Sequence, residues 1–381
     1  MKFMTTRRMA IKAAILTATA VVAGCSDDAD NVVVDAADHR PSVTVIMPSS
    51  GAGDNGYVDS IVEGLMSFSN SHDVKMHFLH PGSTSEGEAL MQYWYSQTSA
   101  LEDSSLLVMA SSEYVRSLKA AGPLQGKREA LVFEYDGDDL PDGVSAMQVE
   151  RYGAGYVCGA MVARHNTYVI AALRGDESLE KSINGFVDGF YAHSKDFPHS
   201  EGCEAECEVI ALADDYTGYS LQDKAYKICD SIQSAVETVA STCGNVEDIY
   251  DRLLTTYFPL AGGSNMGVYS FVHALGNGYS QVIGVDNDYG AYSSSIPFSM
   301  LVNIDDAVYN TLHRWVSGEG LSKVEKYKYE DGYIAVVPSM YYSYEWFGRY
   351  WEAYGGSMAS DYWQRQYDQY VREAIEKEGV L

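Results

Sequence analysis

Glycine and aspartate residues follow two buried, strand-like runs late in the chain, at positions where they could bind a small ligand. The run 255–260 is followed by Gly262 and Gly263, and the run 281–285 by Asp286. Loops at the carboxyl ends of parallel strands line the ligand crevice of an open α/β sheet, and glycine lets backbone N–H groups approach a ligand closely. We therefore expect a binding site here.

The elements that position these residues follow an alternating pattern. Strand-like and helical patterns alternate from residue 42 to residue 135, and the alternation restarts with an apolar helix at 151–165. Such alternation predicts parallel βαβ units with right-handed crossovers. Two similar α/β halves in tandem predict a two-lobed clamp that binds a small molecule between its lobes.

The first 24 residues are organised as an export signal. A basic region precedes an apolar stretch over 13–23 that is too short to span a bilayer, and the segment closes as Val22-Ala23-Gly24-Cys25. This ending resembles a bacterial lipobox, so we expect Cys25 to carry a lipid such as palmitate; the alternative is a secretory peptide with an incidental cysteine. Residues 25–40 then form an acidic tether, which also resembles a surface-export tag.

The charge balance restricts the partners. The formal net charge is −27, and removal of the signal moves it to −31 because the signal contains basic residues and no acid. Nucleic acid binding needs a basic face, so this class of partner is excluded. The twin arginines Arg7 and Arg8 are typical of a twin-arginine export signal, although a plain basic region fits equally well.

Five cysteines follow Cys25. Export permits disulfides, and four of the five lie close together in the chain; the preferred pairing among three is Cys203 with Cys207 and Cys229 with Cys243. A metal site is the alternative, but the spacing is not that of paired CxxC motifs. Cys158 lies in an apolar helical segment and is best explained as a small buried residue.

The chain contains none of the common catalytic motifs. It has no GxSxG, HExxH or P-loop sequence. On a strand, side chains three residues apart point to opposite faces, so His77 and His80 would not share a face. This argues against a metal role. We expect a protein that is not an enzyme and needs neither metal nor cofactor.

Six segments in order resemble the basic membrane protein family, the purine nucleoside receptor lipoproteins of ABC transporters. They are Asp54-Asn55-Gly56-Tyr57 with Gly64-Leu65, Gly155-Tyr156-Val157-Cys158-Gly159, Gly185-Phe186-Val187-Asp188-Gly189, Ala261-Gly262-Gly263 with Gly267-Val268, Val282-Ile283-Gly284-Val285-Asp286, and 299–309.

The resemblance implies an α/β type I periplasmic-binding-protein fold, with two doubly wound parallel-sheet lobes joined by a hinge of three crossings. The implied N-terminal lobe contains residues 41–143 and 297–323, and the C-terminal lobe contains 144–296 and 324–381. The aromatic-rich tail from residue 327 is expected to pack on the second lobe; an exposed carbohydrate-binding face is the alternative. Lobes of this kind close around a ligand by hinge motion.

The resemblance also implies residues for the base of a nucleoside. Tyr57 stands at the position of the base-stacking ring of the family, although a core aromatic fits as well. Tyr216 is the candidate for a second ring from the other lobe, and a surface-loop tyrosine is the alternative. Asp136 resembles the acid that reads the base edge, and it fits a hinge turn equally well.

For the sugar, the implied ligands are carboxylates and backbone groups. Asp286 would accept hydrogen bonds from ribose hydroxyls, and Gly262 and Gly263 would give access to backbone N–H groups. Asp54 belongs to the first of the six segments that resemble the family and is included in the site. The alternatives are a capping aspartate at 286 and a purely structural glycine turn.

Two departures from the family weaken the expectation of a purine ligand. Val58 stands where the family has Asn, and Val302 where it commonly has Lys. We expect a monomeric, lipid-anchored protein of the bacterial cell envelope that hands a nucleoside-like solute to an ABC permease. The alternatives are a clamp for another solute, an envelope sensor, and a surface lipoprotein that uses its tail.

Overall fold

Three β-sheets carry the fold of the described chain. The computed structural model describes residues 39–97, 103–196, 204–242, 249, 252–339 and 360–379. The expected signal, Cys25, Cys203 and Cys243 lie outside these residues, as do residues 340–359 of the aromatic-rich tail. Within the described residues, no helix is both long and apolar enough to cross a membrane.

The first sheet has six parallel strands, which pair because they are runs of largely buried residues. Its order is β12, β5, β4, β3, β1, β2. The strands are β1 (Ser42–Ile46), β2 (Lys75–Leu79), β3 (Ser105–Met109), β4 (Arg128–Phe133), β5 (Val144–Val149) and β12 (Val324–Tyr327). Every residue of β3 is buried, as expected of a central strand that is covered by helices on both faces.

The second sheet repeats this design with four parallel strands. They are, in sheet order, β7 (Cys207–Ala213), β6 (Asn166–Leu173), β8 (Thr255–Leu260) and β9 (Ser280–Val282). Helix α4 (Tyr152–Met161) leads from β5 of the first sheet into β6. The crossover helices within the second sheet are α5 (Glu177–His193), α6 (Gln222–Ala240) and α7 (Asn265–Leu275).

A third sheet continues from the second. Its order is β10 (Gly284–Asp286), β11 (Phe298–Val302) and β13 (Ile334–Pro338), with β11 and β13 antiparallel. Only Ile283 separates β9 from β10, so one extended segment leaves the second sheet and enters the third. This change of sheet places Asp286 at the carboxyl end of β10.

Three strands pair in a different sheet from the one that the predicted lobe boundaries imply. Strands β5 and β12 were expected in the C-terminal lobe, but both pair within the first sheet. Strand β11 was expected in the N-terminal lobe, but it pairs with β10 and β13. The physical reason is that strands at chain crossings are apolar whichever sheet they join, so hydrophobicity alone does not assign them.

The remaining helices cover the sheets. Helix α1 (Tyr57–Ser71) follows β1, and α2 (Thr84–Ser96) and α3 (Val115–Ala121) follow β2 and β3. Helix α8 (Ile304–Val316) packs against α1 at Gly64, where an added Cβ would lie 2.5 Å from the carbonyl oxygen of Asp305.

The last helix, α9 (Ser360–Glu378), contacts α4 near the chain crossings. Tyr156 donates a 2.9 Å hydrogen bond to Glu373, and the Gly153 N–H donates a 3.1 Å bond to Glu378.

Candidate functional site

A cavity of about 280 Å³ lies at the carboxyl ends of strands from the first and second sheets. Loops after β1, β3 and β4 form one wall, and loops after β7 and β8 form the other, with β10 between them. Parallel strands of two sheets thus point their carboxyl ends at one space, which is the usual place for a ligand in α/β proteins.

Most of the residues that the sequence predicted line this cavity. Those that line it are Asp54, Tyr57, Tyr216, Gly262, Gly263 and Asp286. Asp136 does not: its carboxylate lies outside the cavity and binds the Lys181 ammonium at 2.5 Å. Glu134, which directly follows β4 and stands two residues before Asp136, is the acid that lines the cavity there.

Asp54 fixes the start of α1. Its carboxylate accepts hydrogen bonds from the backbone N–H groups of Gly56 at 2.9 Å, Val58 at 3.0 Å and Asp59 at 3.2 Å. These are the free donors of a helix N-terminus, which a carboxylate satisfies. Burial raises the pKa of Asp54, and the three backbone bonds oppose that rise. Asp54 therefore shapes the wall of the cavity.

Tyr57, Glu134 and Arg151 form a buried cluster that the sequence analysis missed in part. The Arg151 guanidinium donates two parallel bonds to Glu134, of 2.7 and 2.9 Å, and the Tyr57 hydroxyl donates a short bond to the same carboxylate. Arg151 also lies over the Tyr57 ring, 5.2 Å from its centroid. The available signal was the glutamate inside an otherwise apolar strand-like run.

Asp286 lies against the first turn of α1. A Cβ on Gly56 would be 3.1 Å from Asp286 Oδ2, so glycine is what admits the carboxylate here. The pKa of Asp286 is raised to about 7, chiefly by burial; the positive charge of Arg151 opposes this rise, and the charges of Asp54 and Glu134 add to it. Asp286 is thus a buried hydrogen-bond acceptor at a ligand-facing position.

Backbone strain concentrates at this site. Within the described residues, the non-glycine positions with positive φ are Asn55 (53°), Glu134 (60°) and Asp286 (71°). Such conformations cost roughly 1–3 kcal/mol each and are common at functional sites. All three residues lie on or beside the cavity wall, which supports a role for the wall beyond folding.

Two tyrosines and two glycines form the opposite wall. The rings of Tyr216 and Tyr219 lie nearly parallel, 6.2 Å apart at 16°, and Tyr219 is held by a 2.9 Å bond from its hydroxyl to Asp176. Gly262 has a φ of 51°, and a Cβ there would meet the Tyr219 ring at 2.9 Å. A Cβ on Gly263 would lie 3.1 Å from the Tyr219 carbonyl oxygen.

The walls also bind each other directly. After β10, the side chains of Asn287 and Tyr289 both donate to the carbonyl oxygen of Asn55, the Asn287 bond measuring 2.9 Å. On the side of the chain crossings, Lys181 of α5 binds Asp136 and, at 2.8 Å, Glu150. These contacts join the walls around the cavity.

The two positions that depart from the family pattern lie in different places. Val58 is buried and lines the cavity, where its side chain offers no hydrogen bond. Val302 is buried in the main hydrophobic core and is not part of the wall. Only the first change therefore alters the described lining.

The cysteines that the structure describes are free thiols. They are Cys158, Cys207 and Cys229. Each predicted pair has one member, Cys203 or Cys243, outside the described chain, so the two pairings stay predictions. Burial raises the pKa of Cys207 and of Cys229 to about 12, because a thiolate is poorly solvated there. Among the described residues, no group of three or more His, Cys, Asp or Glu could hold a metal ion.

Solved structures with the same architecture are solute-binding proteins and regulators. An ABC transporter solute-binding protein from Aeropyrum pernix K1 is 16% identical, with 88% of this chain and 86% of that chain covered and a TM-score of 0.62. The chain has the type I periplasmic-binding-protein fold. The predicted fold class is therefore confirmed, and the clamp architecture around the cavity is that of this fold.

Two further neighbours with this fold were solved with sugars. A solute-binding protein from Burkholderia graminis C4D1M in complex with D-arabinose is 14% identical, covers 79% of this chain and 96% of its own, and has a TM-score of 0.56. One from Actinobacillus succinogenes 130z with bound D-allose is 11% identical, covers 80% and 99%, and has a TM-score of 0.54. No protein-family model and no curated protein matches the sequence.

Proposed function

We propose that this protein is a lipid-anchored solute-binding protein that captures a small polyhydroxylated ligand, a nucleoside in the first instance, for uptake by an ABC transporter. The observation that carries the proposal is the cavity between two facing sets of strand ends, with the buried acceptor Asp286 on one side and the tyrosine pair on the other.

The chemistry of the walls suits a ligand with hydroxyl groups and one flat face. Asp286 and the other carboxylates accept hydrogen bonds from hydroxyls, and the ring of Tyr216 offers a surface on which a planar group can stack. The cavity volume lies near the lower end of small-molecule sites, which suits one sugar ring or one nucleoside and excludes an oligosaccharide.

A monosaccharide is the second candidate. Two neighbours with this fold were solved with D-arabinose and D-allose, and Val58 removes a polar group that could bind a base. The base distinguishes the candidates: stacking on Tyr216 contributes to the affinity of a nucleoside and not to that of free ribose. The tyrosine pair favours the nucleoside.

The anchor and the partners follow from the sequence. Cys25 would carry the lipid, the protein would act as a monomer at the cell envelope, and closure would present both sets of loops to a permease. The protein would act by binding alone, without catalysis. Labelled palmitate should be incorporated by the full chain and lost in Cys25→Ala; incorporation that persists in this variant refutes the assignment of the anchor.

The binding test uses the mature chain with Cys25→Ser, unfolded and refolded to remove any bound ligand. Calorimetric titration with guanosine, inosine, adenosine, uridine and ribose should give strong heat for a nucleoside. Loss of a hydrogen bond to a charged acceptor costs about 1.5–3 kcal/mol, so Asp286→Asn should weaken binding by roughly 10- to 100-fold.

The matched control is Asp73→Asn, which changes an aspartate whose side chain is 83% exposed and forms an exposed ion pair with Arg40. Its affinity should equal that of the parent. Strong binding of ribose with none of any nucleoside would leave the monosaccharide candidate, and no binding of any of the five would refute the proposal.

A further inference from the structure

Asn265 is a polar residue of the cavity wall that the sequence analysis did not select. It is the first residue of α7, it lines the cavity, and it is only 5% exposed. Ser264, directly before it, accepts a 2.6 Å bond from the Leu221 N–H and donates a 2.7 Å bond to the carbonyl oxygen of Gly218. Because Gly218 stands two residues after Tyr216, Asn265 belongs to the wall that carries the Tyr216 ring.

Hydrogen bonding fixes the orientation of the Asn265 amide. Its Oδ1 accepts a 2.8 Å bond from the backbone N–H of Ala261. A backbone N–H can only donate, so the atom that it binds is the amide oxygen, and the amino group Nδ2 lies at the other end of the amide. Asn265 thus uses its oxygen to hold the turn between β8 and α7 and keeps its amino protons for another partner.

The amino group of Asn265 opens on the cavity. Within the part of the chain that the structure describes, no atom accepts a hydrogen bond from Nδ2, and Nδ2 is not among the unpaired polar side-chain atoms that are closed off from solvent. Asn265 is otherwise buried, so the space that reaches its amino group is the cavity that it lines. A donor left unpaired in such a place is costly, and a ligand that supplies an acceptor gains affinity.

The two walls of the cavity therefore offer opposite chemistry. On the facing side, the carboxylates of Glu134 and Asp286 are acceptors, and the Arg151 guanidinium already donates to Glu134 and to the Val149 carbonyl oxygen. The hydroxyl groups of a ligand suit the side of Asp286, and an acceptor suits the side of Asn265. In a nucleoside, the sugar has the hydroxyl groups, and the edge of the base has the acceptors.

We propose that Asn265 is a specificity-determining residue, which donates a hydrogen bond from Nδ2 to a carbonyl oxygen of the base. The protein then prefers nucleosides with such an oxygen, inosine among them, to adenosine. Adenosine has an amino group where inosine has the carbonyl oxygen, so two donors would face each other. Asparagine can also pair with adenine, but that pairing uses Oδ1, which is already engaged by Ala261. The proposal rests on the proposed function, because it assigns which base the same cavity selects.

The first test uses the parent protein, refolded as above, and three ligands that differ at one position of the base. They are inosine, adenosine and purine riboside, which has no substituent where inosine has its carbonyl oxygen. In calorimetric titration, inosine should bind at least about fivefold more tightly than either of the others, because each of them leaves the amino group of Asn265 unpaired. Equal affinity for inosine and purine riboside would overturn the proposal, and this result needs no variant.

The second test reverses the chemistry of the side chain. Asn265→Asp keeps an oxygen for the Ala261 N–H and replaces the amino group by an oxygen that can only accept when ionised; the bond from Ala261 and the N-terminus of α7 favour the ionised form. At pH 8 this variant should bind inosine at least about tenfold more weakly than the parent and should prefer adenosine, whose amino group it can accept. An equal loss of affinity for all three ligands would indicate a structural role and overturn the proposal.

The matched control is Asn277→Asp. The Asn277 side chain also accepts backbone bonds, from the N–H groups of Tyr279 and Ser280 at 2.9 Å each, but it does not line the cavity. This variant should keep the three affinities of the parent. A change of preference as large as that in Asn265→Asp would show that the effect does not come from the cavity, and it would overturn the proposal.

A spectroscopic measurement tests the contact itself. The nitrogen-15 resonance of the Asn265 side-chain amide, assigned by its loss in Asn265→Asp, should move more with inosine than with purine riboside at saturation; equal shifts would overturn the proposal. The failures of the two proposals are distinguishable. A parent that binds nucleosides without preference overturns this inference alone, whereas a parent that binds no nucleoside refutes the nucleoside receptor and this inference together.

Discussion

Helices α4 and α5 contact each other through glycines, and Gly189→Ala tests how close the two helix backbones are. An added Cβ at Gly189 would lie 2.0 Å from the Tyr156 carbonyl oxygen and 2.9 Å from its Cα. The reverse contact has the same geometry, since a Cβ on Gly159 would lie 2.0 Å from the Phe186 carbonyl oxygen. Backbone atoms lie on both sides, so no side-chain rotation relieves the clash.

The magnitude follows from the separation that the methyl group demands. An ordinary contact is about 3.4 Å, so the helices must separate by roughly 1.4 Å; overpacking of this kind costs about 1–3 kcal/mol. Alanine regains about 1 kcal/mol of helix propensity over glycine. Because backbone atoms oppose each other here, we expect an overpacking cost at the upper end of this range. The net loss of stability is then about 2 kcal/mol, and the Tm falls by about 4 °C.

Thermal unfolding followed by circular dichroism measures this loss. Asn184→Ala, at an exposed position of the same helix, is the control and should raise Tm slightly or leave it unchanged. The double variant Gly159→Ala with Gly189→Ala should lose less than the sum of the single losses, because one separation relieves both clashes. A Tm for Gly189→Ala equal to or above that of the parent would refute the close contact.

Two other changes probe the cavity and its closure. Folding raises the pKa of Asp286 from 3.8 to about 7, so the folded state binds more protons between these values and stability falls as pH rises through this window. Asp286→Asn should therefore stabilise the protein more at pH 8 than at pH 5. Because about two pH units of this window lie above pH 5, the unfolding free energies should differ by at most about 3 kcal/mol; an equal effect at both pH values contradicts the assignment. Lys181→Met removes the bonds to Asp136 and Glu150, and its Tm should fall by a few degrees in low salt and by less in 1 M salt; a loss independent of salt would show that the contact is not electrostatic.

Some features of the fold could be predicted from the sequence, and others could not. The alternating pattern predicted the α/β class because buried strands and amphipathic helices differ in their periodicity, and that period is a local property. The glycine pairs 155/159 and 185/189 were found as motifs, but that they pack one helix against another is visible only when α4 and α5 are placed together.

The residues of the cavity also divide into those that the sequence predicted and those that it did not. Gly262, Gly263 and Asp286 were found because residues that follow a buried strand must lie at its carboxyl end, and that inference needs no tertiary information. Glu134 was missed in favour of Asp136. The two acids are separated by one residue, and an apolar run before them does not show which one faces the cavity. Backbone twist and the positive φ of Glu134 decide that orientation.

The sequence by itself determined the order of strands and helices, the acidic charge and the strand ends that surround the cavity, because each depends on neighbouring residues only. The tertiary structure decided which strands share a sheet, that Arg151 binds Glu134 in the wall of the cavity, and that burial raises the pKa of Asp286. Pairing and burial depend on residues far apart in the chain, and the pKa of a buried group is set by the charges and solvent that folding places around it.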